Sequence, residues 1–296
     1  MTVAGRYRLG DEIARGGMAA VHHATDTVLK RPVAIKVVTP ERSTNYRYRD
    51  AVRRDALSAA RLTHPNVVRV FDYGEMERDG HYLPFVVMEF VPGRSLAARL
   101  HDTGPIPWRD AARICMEIAD ALAAAHDHNV VHRDIKPGNI ILSPSGAKIV
   151  DFGVSAPPGE ASIDDDGRVW GTPAYFAPEQ MHGEAAGPAA DIYALGLVLH
   201  TCLTGSPAWT GRTFRDVLIA RALSPIPRLP DGWDVTEQIV AIHRRCLMPQ
   251  PRKRPSAREI GRLLHDASAP ARGIPRKAGR LPRVRNAVLR VAGARS

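Results

Sequence analysis

Apolar and polar side chains alternate along the chain between Tyr7 and Val38. Tyr7 to Ile13 and Ala20 to Thr25 flank a Gly16-Gly17 turn, and Pro32 to Val38 alternates with one basic residue, Lys36, standing off the apolar row. This period of two predicts three strands. Val67 to Tyr73 and Phe85 to Val91 predict two more, joined by a polar loop at Glu75–Gly80. Residues 47–62 switch to a helical pattern, with Val52, Ala56, Ala59 and Ala60 on one side and arginines elsewhere. That helix is expected to end near Thr63-His64-Pro65, because proline stops it.

From Ser95 onward the helical period takes over. Ala111, Cys115, Ile118 and Leu122 follow the spacing of a buried helix face. A second helix is expected at Asp191–Thr204, with Ile192, Leu195 and Leu199 apolar, and further ones at Phe214–Leu223, Val235–Leu247 and Ser256–Leu264. The last two are separated by the proline-rich stretch Pro249–Pro255. Strands first and helices afterwards predict an α+β chain of two lobes.

Charge divides the chain again. The net charge is +10, yet from Ala267 to the end there are eight Arg or Lys and no acid, so residues 1–266 carry +2. A nearly neutral body therefore precedes a basic tail, in which Leu281, Val284, Val288 and Val291 form an apolar stripe among arginines. Such a stripe suits peripheral contact with an anionic membrane, and a solvated linker is the other reading. The tail contains no DNA-binding motif, and specific nucleic-acid binding is not expected. No apolar run reaches the roughly 18 residues that span a bilayer, and the start of the chain lacks a signal-peptide pattern. Cys115, Cys202 and Cys246 have no metal-ligand spacing and cannot form a full disulfide set. They are expected to be buried apolar fillers in a reducing cytoplasm.

The chemistry concentrates in His132-Arg133-Asp134-Ile135-Lys136-Pro137-Gly138-Asn139, followed after a turn at Ser143–Gly146 by Asp151-Phe152-Gly153. Two aspartates and an asparagine on neighbouring loops are oxygen donors, the set Mg²⁺ prefers when it also holds substrate phosphates. A carboxylate that is not chelated can accept a proton from an attacking hydroxyl. The two motifs, in this order, resemble the catalytic and metal-binding loops of the protein kinases. Val33-Ala34-Ile35-Lys36 resembles the strand whose lysine contacts the α- and β-phosphates, Ala177-Pro178-Glu179 the element that closes the activation segment, and Asp191–Gly196 the central helix of the C-lobe.

The resemblance runs from Tyr7 to about His265 and is nearest to the bacterial eukaryotic-like serine/threonine kinases. It implies a two-lobed kinase fold, with a mainly antiparallel N-lobe over 7–91, a mainly helical C-lobe over 92–266 and a flexible tail over 267–296. It implies ATP with Mg²⁺ (Mn²⁺ as an alternative) and protein substrates bearing serine or threonine. Asp134 would be the base, Lys136 would sit by the γ-phosphate, Lys36 would orient the nucleotide, and Asn139 and Asp151 would hold the metal. Ile13, Ala14, Gly16, Gly17, Val21, Ala34, Ile141 and the Glu89–Val91 backbone would line the nucleotide site. Thr172 would contact Asp134 and Lys136; Asp191 would cap the catalytic-loop backbone; Glu179 would pair with Arg254 in a buried link.

Three stretches depart from the family pattern. The glycine-rich loop keeps only its middle glycine, with Ala14 and Ala19 at the outer positions. The helix acid expected to pair with Lys36 is Asp55, one methylene (about 1.5 Å of reach) shorter than glutamate. It pairs only if the helix sits closer, and is otherwise a solvated acid. Before Thr172, where relatives carry phosphoacceptors, stands Asp164-Asp165-Asp166, with Ser162 the nearest hydroxyl upstream; Asp166 meeting Arg133 would leave the enzyme partly active without phosphorylation. Beside the active kinase stand a pseudokinase or ATP-binding scaffold and a tail-tethered module. Kinase dimers are compatible with each.

Overall fold

The computed structural model describes residues 1–16, 19–43, 46–78, 80–152, 171–211, 213–224, 228–229 and 235–268. Gly17, Gly153, Ser162, Asp164–Asp166 and the tail from residue 269 lie outside them.

The alternating segments form one antiparallel sheet. Its strands are β1 (Thr2–Val3), β2 (Tyr7–Arg15), β3 (Ala19–Asp26), β4 (Arg31–Val38), β5 (Val70–Arg78) and β6 (His81–Glu89), in the order β1-β2-β3-β4-β6-β5. Val33, Ile35, Val37, Leu83, Phe85 and Val87 bury one face of it with Tyr7. Helix α1 (Pro40–Ser43) leads into α2 (Tyr46–Ala59), which lays Tyr48, Val52 and Ala56 against Val38 and Val86 on the other face.

Two expectations fail here. The polar stretch from Glu75 is not a loop: Glu75, Met76, Glu77 and Arg78 pair in register with Pro84, Leu83, Tyr82 and His81. Because β5 is an edge strand, its polar side chains remain in water and the hydrophobic pattern is lost, although the ladder continues. Val67 and Val68 are not part of that strand. Val67 instead bridges Ile149 in parallel, so the segment before β5 is tied to the second half of the molecule.

That half holds β7 (Arg94–Ser95), α3 (Leu96–Thr103), α4 (Trp108–Asp127), β8 (Ile140–Ser143), β9 (Gly146–Ile149), α5 (Pro178–Met181), α6 (Pro188–Thr204), α7 (Phe214–Leu223), α8 (Glu237–Cys246) and α9 (Ala257–Ser268). Strands β7, β8 and β9 make a small second sheet. Helix α6 is buried from Ala190 to Leu203, which explains why its sequence is apolar all round. Pro188 opens it, and Gly205, in the left-handed conformation at φ 77°, closes it. Gly196 lets α8 approach: a Cβ there would lie 2.6 Å from the Cβ of Cys246. Helix α8 begins two residues later than the apolar pattern suggests, because the Thr236 hydroxyl caps it by accepting from the Ile239 amide. Cys115, Cys202 and Cys246 are all buried, as expected of apolar fillers, and their thiols are free.

Two histidines are buried between α6 and α8. His200 and His243 stack with ring centroids 5.4 Å apart, and His200 Nδ1 and His243 Nε2 have no hydrogen-bond partner among the described residues. Burial pushes the His200 imidazole down to about 4. It pushes His243 to about 3, with His200 and Arg244 adding repulsion. Both rings are therefore neutral in the folded protein, whereas the unfolded chain takes up protons below its ordinary value of roughly 6.5. The stability they permit is full above that pH and is lost as the pH falls toward the folded values. His243→Phe is expected to flatten the loss of stability between pH 6.5 and 4, measured as urea midpoints across that range; unchanged midpoint profiles would show that these rings do not set acid lability.

Candidate active site

The loop from His132 to Asn139 is held by one carboxylate. Asp191, in the first turn of α6 and almost wholly buried, accepts from the His132 amide at 2.9 Å, the Arg133 amide at 2.8 Å and His126 Nε2 at 2.8 Å. Arg133 consequently sits at φ 68°, a left-handed backbone that side-chain-bearing residues seldom adopt. His132 secures the same turn: its Nδ1 accepts from the Asp134 amide and its Nε2 donates to the Val150 carbonyl at 3.0 Å. The imidazole also meets Phe152 edge-on, with centroids 4.7 Å apart. Together these bonds set the loop against the strand that leads to Asp151, itself at φ 62°.

On this frame the predicted polar residues converge. Lys136 Nζ lies 2.7 Å from Asp134 Oδ2 and 2.6 Å from the Thr172 hydroxyl. The Asn139 amide donates to both the Asp134 carbonyl at 2.9 Å and Asp134 Oδ2 at 3.0 Å. Asp134 Oδ1 has no hydrogen-bond partner among the described residues. Thr172 thus reaches Asp134 through Lys136, where a direct contact was expected. Facing them, Lys36 Nζ lies 2.9 Å from Asp151 Oδ1. Burial alone would raise the Asp151 carboxyl, but the Lys36 ammonium outweighs it, helped by His132 and Lys136, and the net shift is downward.

These side chains share a cleft of about 740 Å³ between the sheet and the helical half, a volume typical of small-molecule sites. Ile13, Ala14, Gly16, Val21, Ala34, Lys36, Glu89, Val91, Asp134, Lys136, Asn139, Ile141 and Asp151 all line it. Gly17 lies outside the described residues. The apolar part of the cleft is built by Val21, Ala34, Met88 and Val150, which cluster with Val68. Met88 and Val150 went unrecognised in the sequence because each reads as an ordinary strand residue. Arg15 and Arg94 also line the cleft, and their charges are met by Glu12 and Asp102.

Asp55 is the exception. It does not pair with Lys36, whose ammonium is taken by Asp151, and it does not line the cleft. A small cavity of about 40 Å³, walled by Val52, Ala56 and Val70 as well as Lys36 and Phe152, lies between α2 and the cleft. Asp55 is neither solvated nor paired as expected: it is 7% exposed, and its Oδ2 has no hydrogen-bond partner among the described residues. Burial pushes its carboxyl up to about 8, against the attraction of Arg133, Arg54 and Lys36. Buried and without the ammonium as a partner, the carboxyl holds its proton to a higher pH than a solvated aspartate.

Further along, Glu179 and Arg254 form the expected buried link, at 2.5 Å and 2.7 Å. Arg254 also donates to the carbonyls of Met248, Ala189 and Pro249, so its whole fork is satisfied. Arg221 on α7 donates to the Phe176 carbonyl at 2.7 Å, fixing the chain just before Glu179.

Asp55 gives a testable pH dependence. Its folded value lies above the unfolded one, so the native state holds a proton that the unfolded chain releases. Stability therefore falls as pH rises from about 4 and levels off beyond about 8. Asp55→Asn is expected to stabilise the protein at pH 8, by on the order of a few kcal/mol, and to be neutral near pH 4. Denaturant titrations at both pH values check this, and equal differences at the two would show that Asp55 is ionised in the native state.

The chain matches the protein kinase domain family over residues 7–263. It is 37% identical over 253 residues to the serine/threonine-protein kinase PknB of Mycolicibacterium smegmatis, covering 84% of this chain and 40% of that protein. It is 39% identical over 232 residues to the serine/threonine-protein kinase PknA of Mycobacterium tuberculosis, covering 78% of this chain and 54% of that protein. A probable serine/threonine-protein kinase of Corynebacterium efficiens is 38% identical over 214 residues, 71% of this chain and 32% of the relative. The matched regions thus span about a third to a half of these relatives' length. With a family match over most of its length, the same two-lobed architecture and the ordered motifs gathered at one cleft, the chain belongs to the protein kinase domain family.

Proposed function

We propose that this chain is a serine/threonine protein kinase, transferring the γ-phosphoryl group of ATP to hydroxyls of protein substrates. The observation that supports it is convergence: Lys36, Asp134, Lys136, Asn139 and Asp151 line one nucleotide-sized cleft, with Thr172 hydrogen-bonded to Lys136. Val21, Ala34, Met88, Ile141 and Val150 would sandwich the adenine, whose edge meets the backbone of Glu89 and Val91. Lys36 would orient the α- and β-phosphates, and Lys136 would neutralise charge at the γ-phosphate.

The residues present fit a divalent cation. Asn139 commits its amide hydrogens to Asp134, which leaves Oδ1 as an acceptor, and Asp151 adds carboxylate oxygens. Among the described residues no three His, Cys, Asp or Glu side chains form a metal-holding group, which suits an ion whose other ligands are phosphates and water. When bound, Mg²⁺ or Mn²⁺ would neutralise the β- and γ-phosphate oxygens. The acceptor hydroxyl oxygen attacks the γ-phosphorus, the bond to the β,γ-bridging oxygen breaks, and ADP leaves. Asp134 takes the hydroxyl proton. Asn139 and Lys136 fix the carboxylate through Oδ2, and Oδ1 remains as the acceptor.

A second reading, an ATP-binding scaffold, is favoured by the missing Lys36–Asp55 pair. The buried free cysteines suit a cytoplasmic kinase, and no helix among the described residues is long and apolar enough to cross a membrane. Contact of the tail with anionic surfaces rests on its sequence alone.

Asp134→Asn is expected to lower transfer by about 10²–10⁴-fold while ATP still binds, because asparagine keeps the shape but cannot accept the proton. Asp151→Asn should instead weaken the metal–nucleotide complex. Transfer of labelled γ-phosphate to a generic basic protein, beside a direct ATP-binding measurement, separates the two. Near-native turnover in both variants would remove the assignment, and binding without transfer in the wild type would establish the scaffold.

A further inference from the structure

Besides Lys36–Asp151, a second ion pair crosses from the sheet to the helical half. Lys148 on β9 places Nζ 2.7 Å from Oε1 of Glu89, the last residue of β6. Both side chains are largely covered, with relative exposures of 12% and 27%. The other carboxylate oxygen, Oε2, faces the Arg69 amide at 3.4 Å, and the Glu89 amide donates to the Arg69 carbonyl at 2.9 Å. Around this pair the same two pieces of chain are joined by backbone. Val68 donates to the Ile149 carbonyl at 3.0 Å, Ile149 donates to the Asn66 carbonyl at 2.8 Å, and the Asn66 side chain donates to the Ala147 carbonyl at 2.8 Å.

The Glu89 carboxylate is therefore engaged in this junction by Lys148 and the Arg69 amide, while Glu89 lines the cleft next to Phe90 and Val91. The chain leaves the sheet at this point. Val91, Pro92 and Gly93 have no ladder to hold them before β7 begins at Arg94. Without an anchor, the backbone at Glu89–Val91 would have to be ordered by the ligand, at the ligand's expense in binding free energy. A half-buried charge-assisted bond, backed by a fixed strand, supplies that order beforehand.

We infer that Lys148 is a positioning residue for nucleotide: by holding the Glu89 carboxylate it sets the Glu89–Val91 backbone for the adenine edge. The inference rests on the nucleotide reading of the cleft given above. Lys148 itself touches neither substrate nor the reacting atoms. It acts on ground-state binding, so its loss belongs in KM for ATP and not in kcat.

The test compares wild type, Lys148→Met, Lys148→Arg and the charge exchange Glu89→Lys with Lys148→Glu, with melting temperatures recorded alongside. Lys148→Met is expected to raise KM for ATP, and the directly measured Kd for MgADP, by about tenfold, the loss of one charge-assisted hydrogen bond. Its kcat should stay within about twofold of wild type. Lys148→Arg and the charge exchange should recover most of the affinity, which a merely structural defect would not allow. An unchanged Kd in Lys148→Met, or a loss that the exchange does not reverse, overturns the inference while leaving nucleotide binding intact. A rise in kcat at constant KM also overturns it, because the pair would then restrain lobe movement. A wild type that binds no MgADP removes the nucleotide reading itself, and this inference with it.

Discussion

The helical half of this molecule depends on burying a carboxylate in an otherwise apolar helix. Asp191 sits at the start of α6, whose remaining side chains are almost all core, and it reaches out of that core to three donors. An uncompensated carboxylate there would cost several kcal/mol, so the loop that supplies the donors is not free to leave. The constraint runs both ways. The amides of His132 and Arg133 can meet one carboxylate together only if the chain turns sharply, and Arg133 takes up a left-handed backbone to do so. The next residue is Asp134. Its position follows from the bonds that hold the two residues before it, as a rigid scaffold positions a side chain on a short loop.

The cleft applies the same economy of charge. Among the described residues that line it, each charged side chain is matched nearby: Lys36 by Asp151, Lys136 by Asp134, Glu89 by Lys148, Arg15 by Glu12 and Arg94 by Asp102. The pairs differ in what holds them. Arg15 with Glu12 and Arg94 with Asp102 are exposed and contribute little. Lys36 with Asp151 and Lys148 with Glu89 are covered, and each joins the sheet to the helical half. An arriving triphosphate can compete for Lys36, because it brings more negative charge than one carboxylate. It makes no demand on Lys148. One cross-lobe pair is therefore open to competition from an anionic ligand, and the other is not.

Much of this was legible in the sequence, for reasons that differ by element. The strands around Lys36 and the helix carrying Cys115 and Leu122 were visible because each buries one face, and burial writes a period into the sequence. Asp134, Asn139 and Asp151 were visible through ordered motifs, and Asp191, Glu179 and Arg254 followed by resemblance, because these residues need particular chemistry at particular spacings. The hairpin at Glu75–Arg78 was not visible, since an edge strand in water has no apolar row to show. Lys148 and Glu89 were not visible as a pair, because a lysine on a short strand and a glutamate at a strand end look like solvated charges until the fold brings them to 2.7 Å. His200 and His243 were hidden for the same reason: a histidine in an apolar helix announces neither its neighbour nor its protonation.

Asp55 shows where pattern and geometry part. The sequence places an acid at the expected turn of the helix, and burial together with the pairing of Lys36 with Asp151 decides what that acid becomes. Lys36 has two carboxylates within reach of its field, and Asp151 delivers an oxygen at 2.9 Å. Asp55 is buried on α2, where ionisation would leave a charge without a hydrogen bond on Oδ2 among the described residues. Protonation removes most of that cost, and burial raises the carboxyl accordingly. Helix α2 is thus held to the sheet by Tyr48, Val52 and Ala56 and not by an ion pair at Lys36. The coupling of that helix to the cleft is one of packing, and it tolerates a shortened acid that a charge-based link would not.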